Sequence, residues 1–223
     1  MKKMNNPTID PFGKLLGLRQ KAHPWHGVNL GENSPAEVIS FIEMVSTDTV
    51  KYEVDKQTGY LIIDRPQKYS NILPALYGFL PQTYCGELVG GKSAEILKRE
   101  TIVGDGDPLD VCILTEKNIG NGNILVNAIP IGGFRMIDGN EADDKIIAVL
   151  KGDAVYGNYK DIKDCPPSVI QRLKHYFLTY KDMPGVQNTK CEITHTYGVV
   201  EARDVIERAS KDYKRYVEKL LFE

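Results

Sequence analysis

The hydrophobic period of the chain changes once, and this change limits the folds open to it. Short runs of β-branched and aromatic residues follow one another up to position 150, whereas apolar residues recur every three or four positions after position 161. Strands that precede helices favour an antiparallel sheet, open or closed into a barrel, with helices packed against it. The β-type runs cover residues 38–45, 50–54, 60–64, 111–115, 124–129 and 145–150.

Local signals predict a hairpin among these strands and two helices after them. Residues 50–54 alternate between polar and apolar side chains, and the turn-forming residues 57–59 lead into the next run. Pro166 and Pro167 suit the first turn of a helix. The apolar stripe between positions 202 and 221 predicts a second helix with one buried face.

Length and composition indicate one ordinary globular domain. The chain has 223 residues, 42% hydrophobic and 26% charged, which suffices for a single core in residues 36–223 behind an N-terminal arm at 1–35. A net charge of -2 offers no basic surface for nucleic acid. No apolar run reaches the roughly 18 residues of a membrane span, and no signal sequence is evident, so a cytosolic protein is expected. The four cysteines form no CxxC pair, so free buried thiols are expected.

Three carboxylates crowd into the segment 105–111, directly before an apolar run. Side chains alternate along an extended chain, so Asp105 and Asp107 share a face. The fixed φ of Pro108 can return Asp110 towards them. Two like charges about 4 Å apart repel by roughly 4 kcal/mol at an effective dielectric near 20. The cluster is therefore tolerable only if protons or metal ions compensate its charge, and ligands that are all oxygen favour Mg2+, Mn2+ or Ca2+.

Two other interpretations of this segment are open at this point. Asp105, Asp107 and Glu116 match positions 1, 3 and 12 of a calcium-binding EF-hand loop. However, Leu109 stands where that loop requires a ligand, and Asp110 stands where its turn requires glycine. The carboxylates could instead lie in water on an acidic turn between strands.

A second acidic segment, 136–145, also precedes an apolar strand. Asp143 and Lys145 share a face of that strand, which places a cation beside an anion. Further charged side chains lie in predicted strands or at a helix end, where each alone would face water or interact with the helix terminus. They are Glu43, Lys51, Glu53, Arg65 and Lys181. Combined with the two acidic segments, the cations Lys51, Arg65, Lys145 and Lys181 describe a site for a small, highly charged phosphate compound.

Six short motifs stand in the order found in family I soluble inorganic pyrophosphatases, which the chain therefore resembles. They are KYE at 51–53, DR at 64–65, YGFLPQT at 77–83, DGDPLDV at 105–111, MIDGNEADDK at 136–145 and YKD at 180–182. The resemblance implies an α+β fold, mainly β, with an OB-like five-stranded β-barrel and flanking helices. It also implies an enzyme, an inorganic diphosphatase, that hydrolyses pyrophosphate to two phosphates. Several Mg2+ ions per active site, Mn2+ as a substitute and a homo-oligomer are further implications.

The resemblance assigns a role to each matching residue. Asp107 would be the general base, and Asp110 would bridge two activating ions. Asp138 would share an ion carried by the substrate. The full set of metal ligands would be Asp105, Asp110, Asp138, Asp143, Glu43 and Glu53. The phosphates would be held by Lys51, Arg65, Tyr77, Lys145, Tyr180 and Lys181.

The chain departs from the family's pattern at two places. Leu73 and Leu76 stand where many members carry Tyr and Asn. An insertion near 84–101 contains GELVGGKS, which matches the phosphate-loop pattern GxxxxGK(S/T) of nucleotide hydrolases. Because the residues before it do not form a good buried strand, we expect a solvated loop around Lys92 that at most shields the site.

Two other functions remain as alternatives. The phosphate-loop match would make the chain a nucleoside triphosphatase. A barrel with twelve tyrosines could instead bind single-stranded nucleic acid by stacking bases on aromatic rings. An isoelectric point near 6.1 argues against the second alternative, because nucleic-acid binding requires a cationic surface.

Overall fold

A closed ring of five strands forms the centre of the structure, a computed structural model that describes residues 20–181 and 191–222. In chain order the strands are β1 (Val38–Met44), β2 (Val50–Val54), β3 (Leu61–Pro66), β4 (Leu76–Phe79), β5 (Val103–Gly104), β6 (Asp110–Leu114), β7 (Ile124–Asp138), β8 (Glu141–Ala142), β9 (Lys145–Leu150) and β10 (Cys191–Gly198). The order around the ring is β1, β4, β6, β9 and β7, and β7 pairs with β1 to close it. The predicted OB-like barrel and mainly β fold are confirmed.

Three helices flank the strands in the described part of the chain: α1 (Glu87–Leu97), α2 (Pro167–Thr179) and α3 (Val199–Phe222). α2 and α3 are the two helices that the apolar periodicity predicts. α3 buries a stripe from Ala202 to Ala209 in one core cluster with the barrel strands, and α2 buries Leu173 and Phe177 in another. None of the helices in residues 20–181 and 191–222 combines the length and apolar composition needed to cross a bilayer.

One pairing in the ring is parallel, which corrects the expectation of an antiparallel sheet. β6 and β9 run in the same direction, with Asp110 opposite Lys145. The chain passes between them through β7, which pairs antiparallel with β9 and not with β6. Both strands are buried on both faces, which accounts for their continuous apolar runs. The parallel register brings two charged first residues, one anion and one cation, to the same end of the ring.

β7 is 15 residues long and extends well beyond the predicted run 124–129. Pro130 and the glycines at 132 and 133, residues that often interrupt strands, follow this run directly. Instead, the register with β9 shifts between Pro130 and Gly132, so the strand bends without ending. A Cβ on Gly133 would overlap the Tyr197 ring of β10, so only glycine permits this pairing. The bend lets the first part of β7 pair with β1 and its last part with β10.

β2 and β3 form the predicted hairpin outside the ring. The Asp55 N–H donates to the Tyr60 carbonyl at 2.9 Å, and Gly59 adopts φ +73° in the turn. The pairing sets Lys51 opposite Arg65. The hairpin is joined to β1 where the Val54 N–H donates to the Glu43 carboxylate at 2.8 Å. Its charged residues are thereby held beside the ring.

The insertion forms helix α1 rather than the expected solvated loop. The N–H groups of Gly86, Leu88 and Val89 donate to the Asp212 carboxylate of α3 at 3.1, 2.9 and 3.1 Å. A carboxylate of the same chain therefore uses the anion-binding capacity of this helix start. Gly90 lies so close to β5 that a Cβ would overlap the backbone of Gly104. Gly90 thus serves packing against β5, although it is not one of the two glycines that the phosphate-loop pattern requires, whereas a Cβ on the pattern residue Gly91 would meet no atom within 4 Å.

Replacing Asp212 by alanine should lower the free energy of unfolding by about 1 to 3 kcal/mol, because buried N–H donors of α1 would lose their acceptor. Urea denaturation measures this difference. The matched control is Asp204→Ala, which removes a half-exposed carboxylate of the same helix that pairs with Lys92 and Arg208. It should cost less than about 1 kcal/mol. Equal unfolding midpoints for Asp212→Ala and the wild type would contradict this role of Asp212.

The described residues include all four cysteines and the last part of the predicted N-terminal arm. Cys85, Cys112 and Cys165 are buried and Cys191 is half-buried, and all four thiols are free. The arm is described from residue 20 onwards. There Trp25 is 2% exposed and its Nε1–H donates to the Thr83 carbonyl at 2.8 Å, so this part of the arm packs on the body of the protein.

Candidate active site

A polar cavity of about 230 Å³ lies beside the first residues of β6 and β9. Every side chain that the motifs proposed for the site lines it. These are Glu43, Lys51, Glu53, Arg65, Tyr77, Asp105, Asp107, Asp110, Asp138, Asp143, Lys145, Tyr180 and Lys181. The ring, the β2–β3 hairpin and the segment that follows α2 all contribute side chains to the cavity. The fold therefore brings together residues that are far apart in the sequence, such as Glu43 and Lys181, which are separated by 138 positions.

The acidic loop before β6 is held in shape by backbone hydrogen bonds. The Asp105 carboxylate accepts from the Asp107 N–H at 2.9 Å, and the Asp107 carbonyl accepts from the Cys85 N–H at 2.8 Å. The Leu109 N–H donates to the Thr83 hydroxyl at 2.9 Å. Leu109 is completely buried and anchors the loop in the core. The motif at 77–83 therefore supports the carboxylates as well as contributing Tyr77.

Lys145 lies between two carboxylates of the site. It is 4% exposed and pairs with both Asp110 and Asp143. The Tyr77 hydroxyl donates to Asp110 at 2.7 Å. Burial opposes the charge of the ammonium group, but the two carboxylates raise the pKa of Lys145 well above its usual value. The lysine is therefore a permanent cation at the start of β9.

The acidic side chains of the cavity exceed the positive charge available to them. Burial and the charge of Asp143 raise the pKa of Asp105. Burial also raises the pKa of Asp143, helped by Asp110 and opposed by Lys145. For Glu43, burial raises the pKa to about 8. Burial is the main cause of each of these pKa shifts and the neighbouring carboxylates add to it, so the cavity disfavours the ionised forms of these side chains.

The donor set fits a divalent cation. All the acidic ligands are oxygens, the preference of Mg2+ and Mn2+, and an added positive charge would relieve the repulsion that raises the pKa of Asp105 and Asp143. Among residues 20–181 and 191–222, no three carboxylate, histidine or cysteine side chains are grouped as ligands of one ion. Lys145 instead bridges Asp110 and Asp143, so an ammonium group supplies the local compensation.

The β2–β3 hairpin supplies cations to a second wall of the cavity. Lys51 Nζ lies 2.7 Å from Glu53 and 3.2 Å from Asp64, and Arg65 also pairs with Asp64. Asp64 was not proposed for the site, although it belongs to the DR motif. Its carboxylate holds the two cations together, which concentrates positive charge at one place on the wall.

The end of α2 supplies a third charged group. Lys181 Nζ lies 2.7 Å from Asp138, and the Tyr180 ring stacks on Tyr176 with centroids 5.1 Å apart. Burial opposes ionisation of Asp138, but hydrogen bonds from Lys181 and Cys191 lower its pKa. Asp138 is thus an ionised carboxylate that faces the cavity beside a cation. The last residue of the YKD motif, at 182, lies outside the described residues.

Comparison with known proteins identifies the family to which the chain belongs. The sequence profile of the family described as inorganic pyrophosphatase matches residues 40–214. The inorganic pyrophosphatase of Chlamydia trachomatis serovar L2 is 54% identical over 196 residues, which covers 86% of this chain and 94% of that protein. The chain belongs to the inorganic pyrophosphatase family. The family and the enzyme class predicted from the motifs are confirmed.

Other family members extend the comparison to a plant and to a solved structure. The soluble inorganic pyrophosphatase of Oryza sativa subsp. indica is 38% identical over 170 residues, which covers 75% of this chain and 71% of that protein. The crystal structure of the Thermus thermophilus inorganic pyrophosphatase matches with a TM-score of 0.72 at 26% identity, covering 87% of this chain and 99% of that one. The family's fold thus accounts for most of the chain.

Lys56 and Trp25 are among the cavity-lining residues of this family member that were not proposed for the site, together with Val54, Phe79, Pro108 and Glu141. Lys56, in the hairpin turn, pairs with Asp107, and Trp25 of the arm also lines the cavity. Burial opposes the charge of Lys56, but Asp107 raises its pKa. Lys56 follows the KYE motif by three positions, so its place at the start of a turn was the available signal. No comparable signal marks Trp25, which reaches the cavity only through tertiary packing.

The two departures from the family pattern leave the cavity intact. Leu73 and Leu76 are buried in apolar clusters and neither lines the cavity. Lys92, expected in water, is 15% exposed in its side chain and pairs with Asp204 of α3. The inserted helix therefore docks on α3 and does not present its lysine to the site.

Proposed function

We propose that the chain hydrolyses inorganic pyrophosphate to two phosphates with Mg2+, by attack of water. The observation that carries the proposal is a single small cavity in which an excess of carboxylates lies beside paired cations. Such a cavity suits an ion-bound, highly charged phosphate compound. Membership of the family supports the same substrate.

The acidic side chains would hold the ions. Asp105, Asp110 and Asp143 would bind the activating ions, with Asp110 shared between two of them, and Asp138 would take part in binding an ion carried by the substrate. Glu43 and Glu53 would complete the metal and water shell. When bound, divalent ions lower the pKa of water and neutralise phosphate charge.

The remaining side chains would bind the substrate and move the proton. Asp107 is half-exposed at the cavity, so its carboxylate can accept a proton from the attacking water. Lys145 would neutralise the charge that develops on the leaving phosphate. The phosphate groups would be held by Lys51, Arg65, Tyr77, Tyr180 and Lys181. Fixed cations and donors of this kind are the main protein contribution to phosphoryl transfer.

Phosphate release from pyrophosphate and from ATP, each with Mg2+ or with EDTA, tests the proposal. Pyrophosphate should be hydrolysed with Mg2+, EDTA should abolish the reaction, and either Mg2+ or Mn2+ should restore it. ATP should be a poor substrate, because the glycine-containing segment 86–93 forms a packed helix. Equal release of phosphate in Mg2+ and in EDTA would contradict the metal requirement. Faster release from ATP than from pyrophosphate would contradict the substrate.

The expected partners and location stay predictions. We propose a homo-oligomer without nucleic-acid or membrane binding, located in the cytoplasm. Light scattering coupled to size-exclusion chromatography measures the assembly. A titration against single-stranded oligonucleotide at low salt tests the absence of nucleic-acid binding, because true binding would weaken steeply as salt rises.

A further inference from the structure

A buried ion pair lies directly behind two charged residues of the cavity. Arg135 of β7 and Asp144, which precedes β9, are each 1% exposed, and Arg135 Nη2 lies 3.3 Å from Asp144 Oδ2. The Tyr197 hydroxyl of β10 donates to the same oxygen at 2.9 Å. Neither Arg135 nor Asp144 lines the cavity. The pair is therefore outside the machinery assigned above.

The position of Asp144 connects this pair to the site. It stands between Asp143 and Lys145, and successive side chains in an extended segment point to opposite sides. Asp143 and Lys145 face the cavity, whereas Asp144 faces Tyr197 and Arg135. Any rotation of this segment that moves Asp144 would also move both cavity residues.

The backbone ties the same strands together. The Asp143 N–H donates to the Met136 carbonyl of β7 at 3.0 Å, and Lys145 pairs in register with Phe134. Arg135 lies between Phe134 and Met136 in β7, and Asp144 lies between their partners Lys145 and Asp143. The ion pair therefore joins side chains at the same position along the two strands where the backbones are paired.

Stability alone is a weak reason for this ion pair. Burial removes both charges from water, and such pairs can often be replaced by apolar residues without loss of stability. Within the described residues, Arg135 Nε and Asp144 Oδ1 are buried without a hydrogen-bond partner, so the pair is not even fully satisfied. Its directional contacts, and not its contribution to folding, distinguish it from an apolar contact.

The cluster continues to the inserted helix. Arg135 Nη1 lies 3.0 Å from Glu201 of α3, and Lys92 Nζ of α1 lies 3.9 Å from the same carboxylate oxygen. The Arg135 guanidinium also lies over the Tyr197 ring, 5.4 Å from its centroid. α3 thus contacts the arginine through Glu201, and α1 contacts the same glutamate through Lys92.

We propose that Arg135 and Asp144 are positioning residues that fix the orientation of Asp143 for ion binding and of Lys145 for substrate binding. This inference rests on the proposed function. Groups that orient metal ligands from behind typically change metal affinity or activity by about 10- to 100-fold when they are replaced. The role predicts an effect on ion binding that is separate from any effect on folding.

Three variants and one control test the role. Asp144→Asn keeps the shape and removes the charge, Tyr197→Phe removes one hydroxyl, and Arg135→Met combined with Asp144→Leu replaces the pair by apolar side chains. The control, Tyr213→Phe, removes a hydroxyl of α3 that interacts with His26 away from Asp144. For each protein we would measure the dissociation constant for Mn2+ by electron paramagnetic resonance without substrate. The melting temperature, kcat and the Mg2+ midpoint of pyrophosphate hydrolysis complete the comparison.

The dissociation constant for Mn2+ and the Mg2+ midpoint should rise about 10- to 100-fold in Asp144→Asn and in the double variant, and a few-fold in Tyr197→Phe. The double variant should fold and melt somewhat below the wild-type temperature, because apolar side chains can replace the ion pair but the buried Tyr197 hydroxyl loses its acceptor. Tyr213→Phe should bind Mn2+ as the wild type does. A double variant that folds and binds Mn2+ like the wild type would overturn the inference.

Should the double variant fail to fold, Tyr197→Phe decides the question, since unchanged Mn2+ binding there would overturn the inference as well. The two proposals can fail separately. A wild-type protein that releases no phosphate from pyrophosphate would refute the proposed function, whereas Mn2+ binding by the same set of proteins would still decide the positioning role.

Discussion

Replacing Asp107 by asparagine should lower kcat by roughly 10^2- to 10^4-fold, the contribution of a positioned base. Asparagine keeps the size of the side chain but cannot accept the proton from water. The Mg2+ midpoint should stay near the wild-type value, because the Asp107 carboxylate is half-exposed and pairs with Lys56, whereas Asp110 and Asp143, which we assign to the ions, are more buried and pair with Lys145. Steady-state kinetics at several Mg2+ concentrations measures both quantities.

The matched comparison for Asp107 is Asp110→Asn. Asp110 pairs with Lys145 and accepts from the Tyr77 hydroxyl, at the centre of the acidic cluster. Its loss should raise the Mg2+ requirement sharply, since its carboxylate is proposed to bridge ions. If the two variants gave the same Mg2+ titration, this division between base and bridging ligand would be wrong.

Replacing Lys145 by alanine should reduce kcat by roughly 10^2-fold or more, because a preorganised cation beside the leaving phosphate contributes a few kcal/mol to transition-state stabilisation. The Mg2+ midpoint should not rise, since the ammonium group now pairs with Asp110 and Asp143 and so competes with ions for both carboxylates. The melting temperature should fall in EDTA, where the two half-buried carboxylates of Asp110 and Asp143 lose their partner, and recover with Mg2+.

Lys92→Ala is the control for Lys145→Ala. Lys92 is the lysine of the segment 86–93, whose sequence matches a phosphate loop, and it is therefore the alternative candidate for binding phosphate. It pairs with Asp204 on α3 and does not line the cavity. Turnover of pyrophosphate should stay within a few-fold of the wild type. Loss of turnover in Lys92→Ala with full turnover in Lys145→Ala would place the phosphate site in the insertion instead.

The candidate site could be predicted from the sequence because its residues occur in short motifs at the ends of strands. Asp105, Asp107 and Asp110 lie within one loop, so their proximity follows from local geometry. The same holds for Asp138 and Asp143, on either side of a tight turn. Once the strands are in the correct order, motifs at their ends lie close together. All of the side chains proposed for the site line one cavity.

The insertion could not be predicted in the same way. Its sequence matches a phosphate loop, yet the acceptor at its helix start, Asp212, is more than 120 positions further along the chain. The use of Gly90 for contact with β5 likewise depends on a neighbour that local sequence does not specify. Glycines in a sequence indicate that the backbone there can approach another group closely, but only the tertiary structure identifies that group.

The sequence by itself determined the mainly β fold, the two long helices and the charged residues available to the site, because these follow from hydrophobic period and local motifs. Only the tertiary structure decided how the charges are paired. Lys145 bridges Asp110 and Asp143 because β6 and β9 are parallel, with Asp110 opposite Lys145. Arg135 meets Asp144 because β7 bends and extends past its glycines. Electrostatic compensation depends on distances through space, and strand register and bending set those distances.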